Sequence, residues 1–290
     1  MRKFFIMNKF GARKPLNNEE GIFFSKPAGL GQNLTPTFAN MRQGFFRPIS
    51  GDAEPQNSIT GDLVFTSPDA YEDYRDFINW CAGAKELYLV YRPFGTAEFF
   101  RTVQINYMTK TELGSAKWLT VPVSFACLTP WYRAAPSYMT MSEETGEITR
   151  YSFSYTPSLR YSSSNQGSMA VDIGAEGHIP AALEVTYTGA IINPVLTLKC
   201  SSTSTIVGAC KLNTTLTAGE RLEVSTKYGD SFVRKISSTG VVTDLLQCLD
   251  LSTDPFPRVP IDEDCTLYLS ADDTIRGSAT VQVYYYYRSV

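Results

Sequence analysis

The chain has 290 residues, of which 43% are hydrophobic and 13% aromatic, and its formal net charge is −3. A chain of this length can form two domains with separate cores. Its weak negative charge argues against a nucleic-acid-binding protein, because such proteins present a strongly positive surface. The abundance of Tyr and Phe, together with scattered Gly and Pro, is typical of a mainly β protein with many turns.

The six cysteines indicate folding in a reducing compartment. They form no Cys-x-x-Cys motif and lie within helix or strand patterns, which favours buried free thiols over a disulfide framework. The apolar stretch near the N-terminus is too short for a signal peptide, and no apolar run approaches the ~20 residues that span a bilayer. We therefore expect a protein that is made and kept soluble in a cytoplasm, with no membrane partner.

One clear helix is predicted, over residues 68–82. Ser67 can cap it, Pro68 suits its first position, and Gly83 can end it. Apolar side chains recur at steps of three and four residues, so one face of this helix should pack on a sheet. Alternating apolar residues predict the strands of that sheet at 1–10, 59–65, 87–91, 99–107 and 119–125.

A long, turn-rich segment at residues 40–57 interrupts the first predicted domain. Such a segment in a compact domain is either a disordered surface loop or a segment with a function of its own. Its adjacent aromatic residues favour an arm that packs on a neighbouring subunit. We expect the flanks, residues 37–41 and 58–65, to pair with the neighbour's sheet. The predicted contact residues of the arm are Phe45, Phe46, Arg47 and Ile49.

The sequence pattern changes near residue 133, which predicts a first domain at residues 1–132 and a second at residues 133–290. The second domain has no convincing helix, and its eight or more short alternating strands predict a β-sandwich. Tyr284 and Tyr286 share one face of its last strand. Exposed aromatic rings there could stack on sugars, as in a carbohydrate-binding module, although packing on the sheet face is the favoured interpretation.

Signals for catalysis are sparse. The single histidine, His178, precedes a predicted strand, and the chain has no Gly-x-Ser-x-Gly motif, so we expect a structural role for it. The acidic runs at 262–264 and 272–273 lack the alternating spacing of a calcium site. One histidine without paired cysteines does not suit zinc. Glu143, Glu144 and Glu147 surround a predicted hairpin at Gly146, where a catalytic carboxylate pair is possible, but no other feature of the sequence supports a glycan hydrolase. We expect a protein that is not an enzyme and has no metal and no cofactor.

Several segments resemble siphophage distal tail proteins, and they do so in the same order along the chain. In the first domain these are the helix with Tyr71, Tyr74 and Phe77, the strand at 87–91, and residues 121–132, which end in Pro-Trp-Tyr. In the second domain the similar segments are 177–181, 189–194, 219–226 and 249–258. The resemblance covers nearly the whole chain, but the arm at 40–57 does not align with the family.

The resemblance implies a mainly β fold with one helix. The N-terminal domain would be a tail-tube-like β-barrel or sandwich plus the helix, and the C-terminal domain a galectin-like or carbohydrate-module-like β-sandwich.

The resemblance also implies a structural hub at the virion tail tip. Six copies would form a ring that joins the tail tube protein to the tail-associated tip protein and carries receptor-binding proteins. The tape measure protein is a further expected partner, and DNA would only pass through the lumen. The source could be a phage, a prophage or a tail-like bacteriocin. The alternative function is a carbohydrate-binding or lectin-like protein that attaches to the host surface.

Overall fold

The computed structural model describes residues 2–40, 46–114, 117–142, 168–252, 254–272 and 275–290. Two compact units are present, one made of Met1–Arg133 with Tyr286–Val290 and the other of Ala134–Tyr285. The C-terminal residues pack in the first unit, where the ring of Tyr287 lies edge-on to that of Phe99 at 5.1 Å. The predicted domains instead assign these residues to the second half of the chain.

The first unit is built around an antiparallel sheet. Its strands are β1 (Lys3–Asn8), β2 (Arg13–Pro15), β3 (Ile22–Ala28), β6 (Ser58–Phe65), β7 (Leu87–Arg92), β8 (Phe99–Met108) and β9 (Leu119–Cys127), and the start of β10 (Trp131–Tyr138) also belongs to this unit. Two further strands, β4 (Gln32–Asn40) and β5 (Phe46–Pro55), form a separate hairpin. The order in the sheet is β2-β1-β7-β8-β9-β6-β3. Among the described residues the two ends of the sheet are joined by a bridge between Asn17 and Phe23 and not by a continuous pair of strands, so the sheet is not a closed barrel.

The core of the first unit follows largely from alternation along its strands, although β7 buries three consecutive residues, Leu89 to Tyr91. On β9, Leu119, Val121 and Val123 are fully buried, while Thr120 between them is exposed. Helix α1 (Ala70–Gly83) covers this core with its buried face, and the ring of its Phe77 lies 6.0 Å from that of Phe65. One face buried and one face wet is the pattern expected of an antiparallel sheet packed on one side.

The residues that cap the two ends of α1 differ from those predicted. Ser67 does not cap the helix, because its hydroxyl donates to the carboxylate of Asp73, and Asp69 takes the N-cap position without a side-chain cap. Gly83 is the last helical residue, and the chain leaves through Ala84 in an extended conformation rather than through a left-handed glycine. The helix thus begins two positions later than the sequence pattern suggests.

The second unit contains two sheets, which are formed by β10 and by β11 (Thr140–Ser142), β12 (Ser168–Ile173), β13 (Ile179–Ile192), β14 (Val195–Cys200), β15 (Ile206–Leu212), β16 (Thr215–Leu216), β17 (Arg221–Lys227), β18 (Asp230–Ile236), β19 (Val242–Asp244), β20 (Leu249–Asp250), β21 (Cys265–Ser270) and β22 (Arg276–Tyr287). One has the order β19-β18-β17-β13-β22-β10, with β16 beside the end of β13, and the other has the order β11-β12-β21-β14-β15-β20. Each sheet has a row of buried apolar side chains, such as Val185 and Tyr187 on one and Leu267 and Leu269 on the other.

The predicted fold class is confirmed: the protein is mainly β, and α1 is the one α-helix among the described residues, beside a short 3-10 turn at Leu246–Cys248. No helix in this part of the chain is long and apolar enough to cross a membrane.

Arg101 on β8 is a buried charge that ties three parts of the first unit together. Its side chain is 1% exposed. Its Nε donates to the carbonyl oxygen of Thr129 at 2.7 Å, and its Nη2 donates to that of Gln56. The guanidinium also lies 5.6 Å from the ring centroid of Trp131. Since Gln56 directly follows β5, Arg101 fixes the base of the hairpin formed by β4 and β5.

We predict that Arg101→Met lowers the free energy of unfolding by about 3 kcal/mol, because two hydrogen bonds from a charged donor are lost and two carbonyl groups lose their partner. Urea denaturation of the full chain measures this loss. The matched control is Arg75→Met on the exposed face of α1, where the arginine forms an exposed ion pair with Asp76 and the change should stay within about 0.5 kcal/mol. Equal losses in the two variants would contradict a structural role for Arg101.

Candidate functional site

The β4–β5 hairpin stands apart from the other strands. Its register runs from the pair Gln32–Pro55 to the pair Asn40–Phe46, and within the described residues β4 and β5 pair only with each other. An isolated two-stranded ribbon is marginally stable in water. Its outer edges also carry backbone N–H and C=O groups that remain available for pairing. The hairpin is therefore the candidate surface for assembly.

The base of the hairpin is fixed on the first unit. Gln56 donates from its backbone N to the carbonyl oxygen of Gly31 and from Nε2 to Oδ1 of Asn33 at 3.2 Å. Gly29, where the chain enters, has φ of +91°, and a Cβ built on it would lie 2.1 Å from the carbonyl oxygen of Ser58. Only glycine fits such a close crossing in a left-handed conformation. The ribbon therefore leaves the unit from a defined base.

The structure describes the predicted arm residues only in part. Phe45 lies outside the described residues. Phe46 and Arg47 pair along the backbone with Asn40 and Ala39, and Ile49 lies at the register shift of the ribbon. Nothing in the structure describes these side chains, so their role in subunit contacts stays a prediction.

Two details of the predicted arm are corrected. The ordered ribbon begins at Gln32, well before residue 40; Pro36, Pro48 and Gly51 obscure the strand pattern, because neither residue type favours a strand interior. The flank at 58–65 is strand β6, which pairs with both β3 and β9 of its own chain. It therefore has no free edge for a neighbouring subunit.

Tyr284 and Tyr286 do not form a shared exposed platform. Tyr286 is 6% exposed, and its ring centroid lies 6.2 Å from that of Tyr132 in the first unit. Tyr284 is half-buried and donates from its hydroxyl to Oε2 of Glu184 at 2.8 Å. Lys227 donates to the same oxygen at 2.6 Å and lies 4.1 Å from the Tyr284 ring centroid. Tyr286 is therefore a packing residue, and Tyr284 belongs to a cluster with Glu184 and Lys227.

Neither the cavity beside α1 nor its thiol offers an evident reaction centre. A cavity of about 570 Å³ between the end of α1 and β8 contains Lys85 and Glu86 and is otherwise lined mainly by apolar and small residues. Burial raises the pKa of its Cys81 thiol to about 12, so only a very small fraction of this thiol is in the reactive thiolate form near neutral pH. No group of three His, Cys, Asp or Glu within the described ranges is arranged to hold a metal ion.

The contacts of Glu184 make the second unit sensitive to acid. Burial by itself would raise the pKa of Glu184, but hydrogen bonds from Lys227 and Tyr284, with the charges of Lys227 and Arg234, outweigh burial and lower it. A carboxylate with a lowered pKa in the folded state stabilises the fold above its unfolded pKa. That contribution is lost as the pH falls through the folded pKa.

We predict that Glu184 accounts for on the order of 1 kcal/mol of unfolding free energy that disappears as the pH is lowered from about 6 to about 3. Urea titrations at both pH values should show a steeper loss for the native sequence than for Glu184→Gln, which keeps an acceptor but does not titrate. Parallel losses in the two chains would contradict the assignment.

Comparisons with known proteins agree with this architecture. Residues 3–128 match the family described as distal tail protein, N-terminal domain. Two structures of the phage P2 baseplate in its activated conformation, one with Ca and one with Sr, each contain a similar chain, with a TM-score of 0.67 and 14% identity over 100% of both chains. The SPP1 Dit (gp 19.1) protein, described as a paradigm of hub adsorption apparatus in Gram-positive infecting phages, has a TM-score of 0.58 and 11% identity over 97% of this chain and 98% of its own. No curated protein sequence matches the chain.

The family match covers nearly all of the first unit, and the fold similarity extends through the second. The resemblance seen in the sequence is thereby confirmed: residues 3–128 match the N-terminal domain of distal tail proteins, and the fold of the whole chain is similar to that of the phage P2 baseplate chain and the SPP1 Dit protein.

Proposed function

We propose that this protein is the hub of a siphophage baseplate and that six copies form a ring through the first unit. The observation that carries the proposal is the β4–β5 ribbon, which is fixed at its base but pairs with no other described strand of its own chain. A ring closes when one surface of each protomer binds a different surface of the next. A ribbon with open edges supplies one such surface.

The energetics of the ribbon favour assembly. Each phenylalanine buried on a neighbour contributes roughly 1.5–3 kcal/mol, less the cost of ordering the segment. In a closed ring the same contact repeats at every interface, so a modest surplus per contact decides whether the ring forms. Phe45 and Phe46 are the residues proposed to supply it.

The partners follow from the position of a hub. The ring would contact the tail tube protein on one face and the tail-associated tip protein on the other, with the tape measure protein and DNA passing through the lumen. The second unit would serve as a docking platform for receptor-binding proteins, without catalysis of its own. The burial of Tyr286 and the contacts of Tyr284 supply no support for the lectin-like alternative.

We predict that the purified chain forms particles with a mass about six times that of the 32.2 kDa protomer, or twice that mass if two rings stack. Size exclusion with light scattering measures the mass directly. A monomer at every concentration from micromolar to near-millimolar would contradict the proposal.

We predict that the double change Phe45→Ser with Phe46→Ser weakens the ring and leaves the protomer folded, because these side chains would be buried only on the neighbour. Light scattering follows assembly, and circular dichroism follows the fold. The matched control is Phe10→Ser with Phe94→Ser, since these two phenylalanines of the same unit are 79% and 78% exposed.

Three outcomes separate the possibilities. Loss of assembly with an unchanged spectrum in the arm variant alone supports the arm. Loss of the protomer fold would place Phe45 and Phe46 in the protomer's own core. Rings of unchanged stability would show that the arm residues do not hold the assembly together.

A further inference from the structure

Two cysteines of the second unit face each other across neighbouring strands. Cys200 is the last residue of β14 and Cys265 the first of β21, and they are direct partners in this antiparallel pair. Both are free thiols, and they are hydrogen-bonded to each other. Of the six cysteines, these are the two that the strand register sets opposite one another among the described residues.

The register of β14 and β21 also determines whether Cys200 and Cys265 form a hydrogen-bonded or a non-hydrogen-bonded pair. The next residues along, Ser201 and Asp264, are joined by a hydrogen bond from the Ser201 N to the Asp264 carbonyl oxygen at 2.8 Å. Hydrogen-bonded and non-hydrogen-bonded pairs alternate along antiparallel strands, so Cys200 and Cys265 form a non-hydrogen-bonded pair. The Cα atoms of such pairs lie about 4.5 Å apart, within the range of ~4.4–6.8 Å that disulfides span.

The pair lies at the end of the sheet, and both side chains are buried, with Cys200 7% and Cys265 0% exposed. Cys200 also hydrogen-bonds with the carboxylate of Glu263, which accepts from the exposed Ser202. Both cysteines are among the residues that line a surface cavity of about 420 Å³. Because Cys200 keeps some exposure at this cavity, a small reagent reaches its sulfur first, and the buried Cys265 lies directly behind it on the neighbouring strand.

We propose that Cys200 and Cys265 are a site of covalent modification, at which a low-molecular-weight disulfide such as oxidised glutathione converts the two thiols into a cross-strand disulfide. The Cys200 thiolate attacks one glutathione sulfur, forms a mixed disulfide and releases the first glutathione thiol. Cys265 then attacks the Cys200 sulfur and releases the second. The two electrons and two protons of the protein thiols end on two molecules of reduced glutathione.

The inference goes beyond the hub role and stands on the second unit alone. The thiols stay reduced in a reducing cytoplasm and become cross-linked once the protein meets an oxidising medium. The disulfide would close a covalent loop from residue 200 to residue 265, and this loop contains strands β15 to β20. A closed loop has fewer conformations in the unfolded state, which stabilises the folded state. The oxidised sandwich is then harder to unfold than the reduced one.

The test treats the full chain with oxidised glutathione, blocks the remaining thiols and maps peptides without reduction. We expect a peptide pair joined through Cys200 and Cys265, a mass lower by two hydrogen atoms, and a urea midpoint of the second unit raised on the order of 1 M. Cys200→Ser and Cys265→Ser should each abolish the cross-link and the shift. Cys248→Ser, a half-buried cysteine of the same unit, should keep both.

The pH dependence of the reaction gives a second readout. Burial raises the pKa of Cys265 to about 12, and the hydrogen bond with Glu263 raises that of Cys200. The rate of cross-linking should therefore rise about tenfold for each pH unit between about 7 and 9, because the thiolate is the attacking form. The proposal is overturned if Cys200 and Cys265 remain blockable thiols in the folded chain, if they stop at glutathione adducts, or if they link only after denaturation.

Discussion

Every strand edge of a β protein must be paired, covered or protected, and this constraint organises the molecule. In the first unit, β6 and β8 each pair on both sides, and α1 covers the face of the sheet. The β4–β5 ribbon does not meet the constraint within the described chain, because its strands bond only to each other. The same unit thus combines a fully paired sheet centre with a ribbon whose outer edges are unpaired among the described residues, and the proposed assembly rests on these open edges.

Arg101 connects these two parts. Its guanidinium joins β8 of the sheet to Gln56 at the base of the ribbon and to Thr129 in the segment between β9 and β10. A buried charge is costly unless its donors are used, so these bonds hold the base of the ribbon in one arrangement. The Gly29 crossing against Ser58 has a similar effect through close backbone contact. A firmly held base reduces the entropy lost when the ribbon binds a neighbour.

Much of the fold could be predicted from local periodicity. The alternation on β9 and the three-and-four spacing of α1 report directly which side chains are buried, so both elements were predictable to within a few residues. The burial of Arg101 was also predictable from the sequence, because Arg101 lies on the same face of its strand as the buried Val103. A charged residue in a buried row indicates a specific set of hydrogen-bond partners.

The missed features depend on contacts between residues far apart in sequence. Tyr286 is buried because Tyr132 lies beside it, and nothing in the alternation of β22 reveals that neighbour. The pairing of Cys200 with Cys265 depends on strand register, which the spacing of cysteines does not define. The two strands of the ribbon were not predicted, because proline and glycine in this segment are typical of turns.

The central claim, that the β4–β5 ribbon pairs with or packs on another subunit, is tested most directly by hydrogen exchange. Exchange at the backbone amides of residues 32–40 and 46–55 should be compared between the assembled particle and a dilute, dissociated sample. The account predicts that the ribbon is protected in the particle and exchanges much faster after dissociation, while β9 in the core is protected in both states. Equal exchange of the ribbon in the two states would contradict it.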